Sequence, residues 1–437
     1  MLGCAISLAL NWPGQLSYDS VVQLHDGRTG HYNPWHPPVM AWMLGVADRF
    51  LPGAGLFILF NAVVLFASVL SLLWLARRAS WAAVIAAPLC AATPQFLLYQ
   101  GIVWKDVLFA DAAIAGFVLL AHAGVRWRCA SLRWGLVCAA FLLFALAALA
   151  RQNGIIVPFF GALALLLIAR KEDVRWKPAV LAGAGVFAGS LCVLIAANAA
   201  LAERTDRASG TRGQIKLLQF YDLIGEIKAD PTLNFESLSR SNPGLVRLIR
   251  TDGARLYTPV RNDTLVASAD LQTAFADTTP AAISAQWQSV LLRRPWDYLR
   301  VRVRIFEWVF FTPDLRQCVA YYTGVNGPPR YLKALGLQRQ FRPQDAALGN
   351  YAAFFVATPV FSHATWAVVA LALVAFLAWR QRGTDIAIAS MLAGALAFAA
   401  SFFVISIACD YRYLLFLDLS AMTALFYSAV TWREARD

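Results

Sequence analysis

The chain has 437 residues, of which 59% are hydrophobic and only 15% charged, and it carries a formal net charge of +12. That charged share is well below the roughly 25% of soluble domains, and the apolar residues come in long blocks, which excludes an ordinary soluble domain. The basic excess lies largely in short loops between the blocks, where Lys and Arg set membrane topology. No nucleic-acid partner is read from it.

A helix needs about 20 mostly apolar residues to cross the hydrocarbon. Such blocks run over 56–76, 82–98, 107–124, 134–150, 153–169, 178–201, 352–379, 385–408 and 411–431. With the apolar start "MLGCAISLAL", about ten membrane helices are predicted. That start lacks the basic opening of a signal peptide. It reads as the outer end of a first span that begins upstream, or alternatively as a short interfacial segment. The predicted fold class is therefore an all-α polytopic membrane protein. Residues 1–201 form an N-terminal membrane module whose first outer loop is 11–55. Residues 202–351, rich in Asp, Arg, Ser, Thr, Pro and Asn, form a mainly helical domain outside the membrane, and 352–437 form a C-terminal membrane module.

Basic residues occupy every second loop: Arg77 and Arg78; Arg126, Arg128 and Arg133; Arg170, Lys171, Arg175 and Lys177; Arg380 and Arg382; Arg433 and Arg436. The positive-inside rule makes these loops cytoplasmic. The alternate loops then share the opposite face. They carry Asp19, His36, Lys105, Asp106, Arg151, Asn153, Asp410 and Arg412. Keeping Lys105 and Asp106 in the middle of one long span would cost about 2.5–3.5 kcal/mol each, so the helix is expected to break at Gln100–Gly101. Asp111 falls one turn inside the next span and is expected to face the bundle interior or its outer mouth.

The first outer loop, "SYDSVVQLHDGRTGHYNPWHPPVM", is the most polar stretch of this half. "SYDSVVQLHDG" predicts a short helix ending at Gly27, with Asp19, Gln23 and Asp26 on one face. Gly27 and Gly30 turn the chain, and Pro37–Pro38 open another helix with His36 at its N-terminal end. His25 and His31 read as solvated loop residues. In the polar segment, "QIKLLQFYDLIGEI" has helical periodicity, with Ile215, Leu218, Leu223 and Ile224 on one side. "ISAQWQSVLLRRPWDYLRVRVRIFEWVFF" reads as a helix broken at Pro295, with arginines and aromatics suited to a membrane interface. Its second half, with the alternating "VRVRI", is compatible with helix or strand. "GVFAG" at 185–189 is a GxxxG read as helix packing. The seven cysteines include no CxxC, so neither a zinc site nor a disulfide framework is expected.

An acid early in the first outer loop, "HPP" at 36–38, "WKD" at 104–106, "RQNG" at 151–154 and "DYRY" at 410–413, with a late outer domain, resembles the GT-C superfamily of membrane glycosyltransferases, nearest its uncharacterised bacterial branch. The resemblance implies a sugar carried on a polyprenyl phosphate, transferred to a glycan, lipid or protein acceptor. It implies a site on the outer face of a bacterial cytoplasmic membrane, with Asp19 at the family's catalytic acid. Many relatives carry two adjacent acids there; this chain has Asp19–Ser20.

The residues permit that chemistry. Transfer from a lipid phosphate needs an acceptor hydroxyl activated by a carboxylate and cations that hold the leaving phosphate. Asp19, with His36, is the candidate for the first; Lys105, Arg151 and Arg412 are the candidates for the second, arginine being able to grip phosphate through two parallel hydrogen bonds. Gln23, Trp104, Asp106, Asn153, Asp410, Tyr411 and Tyr413 are the candidate pocket residues. Each has a structural alternative. Lys105 pairs with Asp106, Arg151 snorkels to the interface, Arg412 is held by Asp410 or Asp418, and the aromatics form an interfacial belt. His122 and His363 read as packing residues. The histidine spacing matches no metal motif and no cofactor is expected, a divalent metal remaining the alternative. Competing functions are a transporter or flippase for a lipid-linked or anionic solute, and an O-antigen polymerase or ligase. A transporter would place ionisable residues near the bilayer midplane.

Overall fold

A computed structural model describes residues 1–33, 35–76, 80–202 and 210–432. Arg77, Arg78, Arg433 and Arg436 lie outside the described residues. The chain is an all-α, multi-pass membrane protein. Its main helices are α1 (Leu2–Asn11), α2 (Tyr18–Thr29), α3 (Pro38–Phe50), α4 (Gly55–Ser71), α5 (Trp81–Ala91), α6 (Lys105–Val125), α7 (Ala130–Ala150), α8 (Ile156–Lys171), α9 (Trp176–Ala202), α10 (Thr211–Ala229), α11 (Pro280–Arg293), α12 (Pro295–Phe311), α13 (His363–Arg380), α14 (Gly383–Ile405) and α15 (Leu415–Val430). Among the described residues β structure is limited to isolated bridges.

Among the described residues, seven helices are long and apolar enough to cross a membrane, or eight if one bent pair is a single span. The block 82–98 is that bent pair: Trp81–Ala91 and Pro94–Gly101 meet at 71°. Thr93 precedes a proline and takes an extended ψ of 149°, as the proline ring disfavours helical backbone in the residue before it. The block 352–379 breaks for the same reason at Thr358–Pro359, and Ser362 then caps α13 by accepting from the Thr365 N–H at 3.2 Å.

The chain divides into two compact units. The first comprises Met1–Thr205, Tyr321–Ala399 and Arg412–Asp437. Its centre is α6, with 94% of its apolar window buried, packed against α4, α7, α8 and α15. The helix starts at Lys105, so Lys105 and Asp106 form its first turn. The chain does leave helix after Gln100–Gly101, and Ile102–Trp104 run in extended form. Asp111 is buried in α6 and accepts from Gln100 Nε2 at 3.3 Å.

In the first loop, α2 continues past the expected stop at Gly27 and ends at Gly30, whose φ of 72° is the left-handed cap. Gly27 has a different use. A Cβ there would lie 2.1 Å from the Ala41 carbonyl oxygen, and one at Gly45 would lie 2.1 Å from the Gly27 carbonyl oxygen. The bare backbones let α2 and α3 cross in contact, and Arg28 locks the crossing with two bonds to Asp48 of 2.8 and 2.7 Å. At 185–189 the packing glycine is Gly189, whose Cβ would meet Phe141; nothing lies near Gly185.

The second unit comprises Asp206–Ala320 and Ala400–Tyr411. It therefore closes at Ala320, and residues 321–351 belong with the first unit. Its core joins Phe220, Leu223, Ile224 and Ile227 of α10 to Ile283 and Val290 of α11 and Val301 and Ile305 of α12. Ile215, expected on the apolar side of α10, is 48% exposed. The "VRVRI" stretch is helix. Val301, Ile305 and Val309 are buried at helical spacing, and burial of that stripe overrides strand alternation. Arg302 is fully buried against Asp222 at 2.9 Å, and Asp222 also accepts from Trp287 and Tyr298 at 3.1 and 3.2 Å. Cys318 and Cys409, 91 residues apart in sequence, form a disulfide with a Cα–Cα distance of 5.0 Å. This corrects the expectation of no cross-link. Cysteine spacing carries no signal for a pair so far apart.

Gly27→Ala is expected to cost about 1–3 kcal/mol, the range for overpacking a tight contact. A thermal melt of the purified protein checks this, with Gly185→Ala as a control whose midpoint does not fall.

Candidate active site

Four elements of the first unit bring their ends together. Asp19 is in the first turn of α2, Lys105 and Asp106 open α6, Arg151 is the C-cap of α7, and Arg412 lies in the one-turn helix Tyr411–Leu414 that leads into α15. Helices α6 and α7 are consecutive and packed together, so the start of one meets the end of the other. Helix dipoles favour this allocation: carboxylates at N-terminal turns, a cation at a C-terminus. The approach of α2 is pinned by the backbone. The Gln15 N–H donates to the Gly101 carbonyl at 2.8 Å and the Val103 N–H to the Gln15 carbonyl at 3.1 Å. The Ser20 hydroxyl donates to the Val103 carbonyl at 2.6 Å, and Trp104 Nε1 donates to Ser17 Oγ at 3.0 Å.

The charged groups form one network. Arg412 Nη2 bonds Asp19 Oδ2 at 2.8 Å, and its Nε lies 3.8 Å from Asp106 Oδ2. Asp106 is also ion-paired with Arg151. Lys105 Nζ is 3.2 Å from His36 Nδ1, and His36 Nε2 is 3.9 Å from Asp19 Oδ1. With Lys105 as the donor, Nδ1 accepts and a neutral His36 carries its proton on Nε2, toward Asp19. The Arg412 guanidinium lies 4.8 Å over the Trp104 ring, and Tyr413 lies 5.2 Å from Arg151 and 5.9 Å from Arg412. These ring faces favour a cation that has lost part of its water.

Burial and charge set the protonation states. Burial pushes the Asp19 carboxyl up, but Arg412, through its charge and its hydrogen bond, is the main influence opposing this, and the carboxyl sits below its ordinary 3.8. Burial first, and then the Lys105 charge, lower His36 from 6.5 to about 3 despite the opposing pull of Asp19. At neutral pH Asp19 is a carboxylate and His36 is uncharged.

Lys105 faces His36, while Asp106 serves the two arginines. Arg151 is 6% exposed and points inward rather than snorkelling. Arg412 reaches Asp19 and Asp106, and Asp418 is held by His363 at 2.9 Å. His363 and His122 are both buried. Gln23 is buried one turn from Asp19; its Nε2 donates to the Asp19 carbonyl at 3.5 Å and its Oε1 finds no partner among the described residues. Asn153 sits in the turn after Arg151, where its carbonyl accepts from the Ile156 N–H at 3.4 Å. Asp410 and Tyr411 fall in the second unit, where the Tyr411 N–H donates to the Cys318 carbonyl at 2.7 Å. His25 stacks on Tyr331 with ring centroids 4.3 Å apart. Among the described residues no group of three or more His, Cys, Asp or Glu is placed to hold a metal ion.

Sequence reasoning missed Ser17, Ser20 and Gln15, which carry no charge and anchor the site through the backbone. It also undervalued Asp106, the shared counter-ion of two arginines. Truncating one partner of a buried ion pair costs about 3–5 kcal/mol. Asp106→Asn, at 2% side-chain exposure, is therefore expected to lower thermal stability far more than Asp19→Asn, at 32%. Parallel melts of the two variants check this.

No family model matches the chain, and no curated protein matches it. Among solved structures it is similar to the archaeal oligosaccharyltransferase AglB from Archaeoglobus fulgidus in complex with an inhibitory peptide and a dolichol-phosphate. The identity is 15%, over 99% of this chain and 50% of that one, with a TM-score of 0.42. It is likewise similar to the Archaeoglobus fulgidus oligosaccharyltransferase in complex with Zn and sulfate, at 16% identity over 99% of this chain and 49% of that one, with a TM-score of 0.43. The chain spans about half the length of these structures. So slight a likeness says nothing about the reaction of this chain.

Proposed function

We propose that the chain is an integral-membrane glycosyltransferase. It moves a sugar from a polyprenyl-phosphate donor to an acceptor hydroxyl of a glycan, lipid or protein, at the outer face of a bacterial cytoplasmic membrane. The observation that carries this reading is the convergence of three basic side chains on two carboxylates. Lys105, Arg151 and Arg412 face Asp19 and Asp106, with His36 neutral. A sugar–phosphate–polyprenyl donor is a phosphodiester, and its anionic phosphate suits a site with two arginines at its wall.

The donor phosphate takes a share of Arg412, which loosens that residue's hold on Asp19. The acceptor oxygen attacks the anomeric carbon as the bond from that carbon to the phosphate oxygen breaks. The hydroxyl proton passes to Asp19. Polyprenyl phosphate leaves with two negative charges, and neutralising Asp19 raises the charge of the site to match. The developing charge thus meets cations already in place, which is where preorganised electrostatics lowers a barrier most. His36 holds the Lys105 amine beside the phosphate, and the half-buried Tyr413 offers a ring face to the sugar. A lipid-linked donor also explains why the site lies at helix ends, with hydrocarbon beside it for the polyprenyl tail. The Cys318–Cys409 disulfide supports an outer location for the second unit, since such bonds persist in oxidising compartments.

A second reading, transport of a lipid-linked or anionic solute, is favoured by buried ionisable groups within spans: Asp111 in α6, and the His363–Asp418 pair joining α13 to α15. A transporter leaves the sugar–phosphate bond intact, so the two readings differ in product.

Asp19→Asn is expected to lower transfer about 10²–10⁴-fold, the usual contribution of a general base, while binding polyprenyl phosphate at least as tightly as the wild type, because a competing negative charge is gone. Mass spectrometry of lipid-linked sugars and a binding titration read the two effects. Transfer at the wild-type rate would remove Asp19 from its role. The pH profile is a separate check. Asp19 is depressed below 3.8 and His36 to about 3, so the rate should show no inflection at 6.5 and fall only in stronger acid. Stability has a different window. Between 6.5 and about 3 the unfolded chain protonates His36 and the folded chain does not, so acid weakens the fold there.

A further inference from the structure

Helix α12 has three sectors, and the active site uses none of them. One, formed by Tyr298, Val301, Arg302, Ile305 and Val309, is buried in the second unit. A second is apolar and open: Trp296 is 77%, Leu299 37% and Val303 43% exposed, at the i, i+3, i+7 spacing of one face. The third is charged, with Arg300 and Arg304 exposed beside the apolar strip, Arg300 lying 3.5 Å from Asp297 and Glu307 following Arg304 one turn on.

The position of the helix identifies what meets the open strip. Arg302 Nε donates to the Phe403 carbonyl at 2.8 Å, and its Nη1 donates to the Ser406 carbonyl at 2.9 Å. The rings of Phe306 and Phe403 lie 5.8 Å apart. Phe403 and Ser406 are at the end of α14, a 23-residue apolar span. At 1.5 Å per residue that span is about 34 Å long, against a hydrocarbon core of about 30 Å. Its last turn, where Val404 and Ile405 are exposed, is at the edge of the hydrocarbon. Helix α12 is fastened there by the carbonyls that the span's end leaves unpaired.

We infer that α12 is an interfacial helix whose Trp296–Leu299–Val303 strip enters the border of the bilayer that the chain itself spans, with Arg300 and Arg304 on the phosphates of anionic phospholipids. Tryptophan suits this depth, its ring having an apolar body and a polar N–H, and arginine extends from an apolar surface to the headgroups. Basic residues flanking an apolar strip give interfacial helices their preference for anionic lipid. This inference does not depend on the reaction catalysed.

The full chain in lipid nanodiscs, carrying a nitroxide on a single cysteine at Val303→Cys with the Cys318–Cys409 bridge retained, tests it. Arg240→Cys, an exposed position on another helix of the unit, is the reference. Collisions with dissolved oxygen should exceed those with a water-soluble nickel chelate at position 303, and the order should reverse at 240. Replacing phosphatidylglycerol by phosphatidylcholine should shift 303 several-fold toward the chelate, and this lipid dependence should disappear in the Arg300→Gln/Arg304→Gln variant. Chelate reaching 303 as freely as 240 overturns the inference. Exclusion of both probes from 303 overturns it in favour of a protein partner on the strip. An oxygen-rich 303 that ignores lipid charge overturns the assignment to anionic headgroups.

Discussion

Placing two arginines at one end of an apolar bundle is costly unless each has a counter-charge within reach, because isolated charges resist leaving water. Asp106 answers most of that need. It is buried in the first turn of α6, pairs with Arg151 and lies 3.8 Å from Arg412. With Asp106 satisfying the deep side of the cluster, Asp19 is left at its more open side, a third exposed and bonded to Arg412. The division of labour between two carboxylates follows from depth. The buried one is committed to structure, and the accessible one is free to exchange partners. Neutral His36 extends the arrangement, since it accepts from Lys105 without adding another charge.

The lever behind this geometry is ordinary helix packing. Because α6 and α7 are adjacent and joined by a short basic loop, the residues at their far ends must coincide, and "WKD" meets "RQNG" there. That much was legible in the sequence, since basic loops in alternation sort the remaining loops to one face without any appeal to chemistry. The grouping of Asp19, His36, Lys105, Arg151 and Arg412 is visible at that level. Which cation pairs with which carboxylate is not. Lys105 and Asp106 are neighbours in sequence, yet consecutive residues on a helix point in different directions, and each finds its partner on another element.

Other features escaped for reasons of range. The Cys318–Cys409 bridge joins positions 91 apart, beyond any local spacing rule. The bends at Thr93–Pro94 and Thr358–Pro359 have a local cause, but a hydropathy window averages over a single proline and reads one span where there are two helical pieces. The end of α2 was misplaced because glycine has two uses, turning a chain and letting backbones touch. Gly30 does the first and Gly27 the second. Only the neighbour across the contact distinguishes them. In the second unit, "VRVRI" satisfies strand alternation and helix periodicity alike, and the buried stripe of α12 decides between them.

The glycine crossing of α2 and α3 has a bearing on how this region can be redesigned. A methyl at position 27 or 45 lands on the backbone of the opposing helix, so no single substitution at either site is neutral and neither can be relieved by trimming a side chain. The spacing of the two helices is thus closed to gradual change. Between them, Gly30 ends one helix and Pro38 starts the next, each by its own backbone preference. His36 lies in the intervening connection, two residues before Pro38, so the crossing that fixes the two helices also limits the length of the segment that carries it. New recognition elements are best grafted away from this pair.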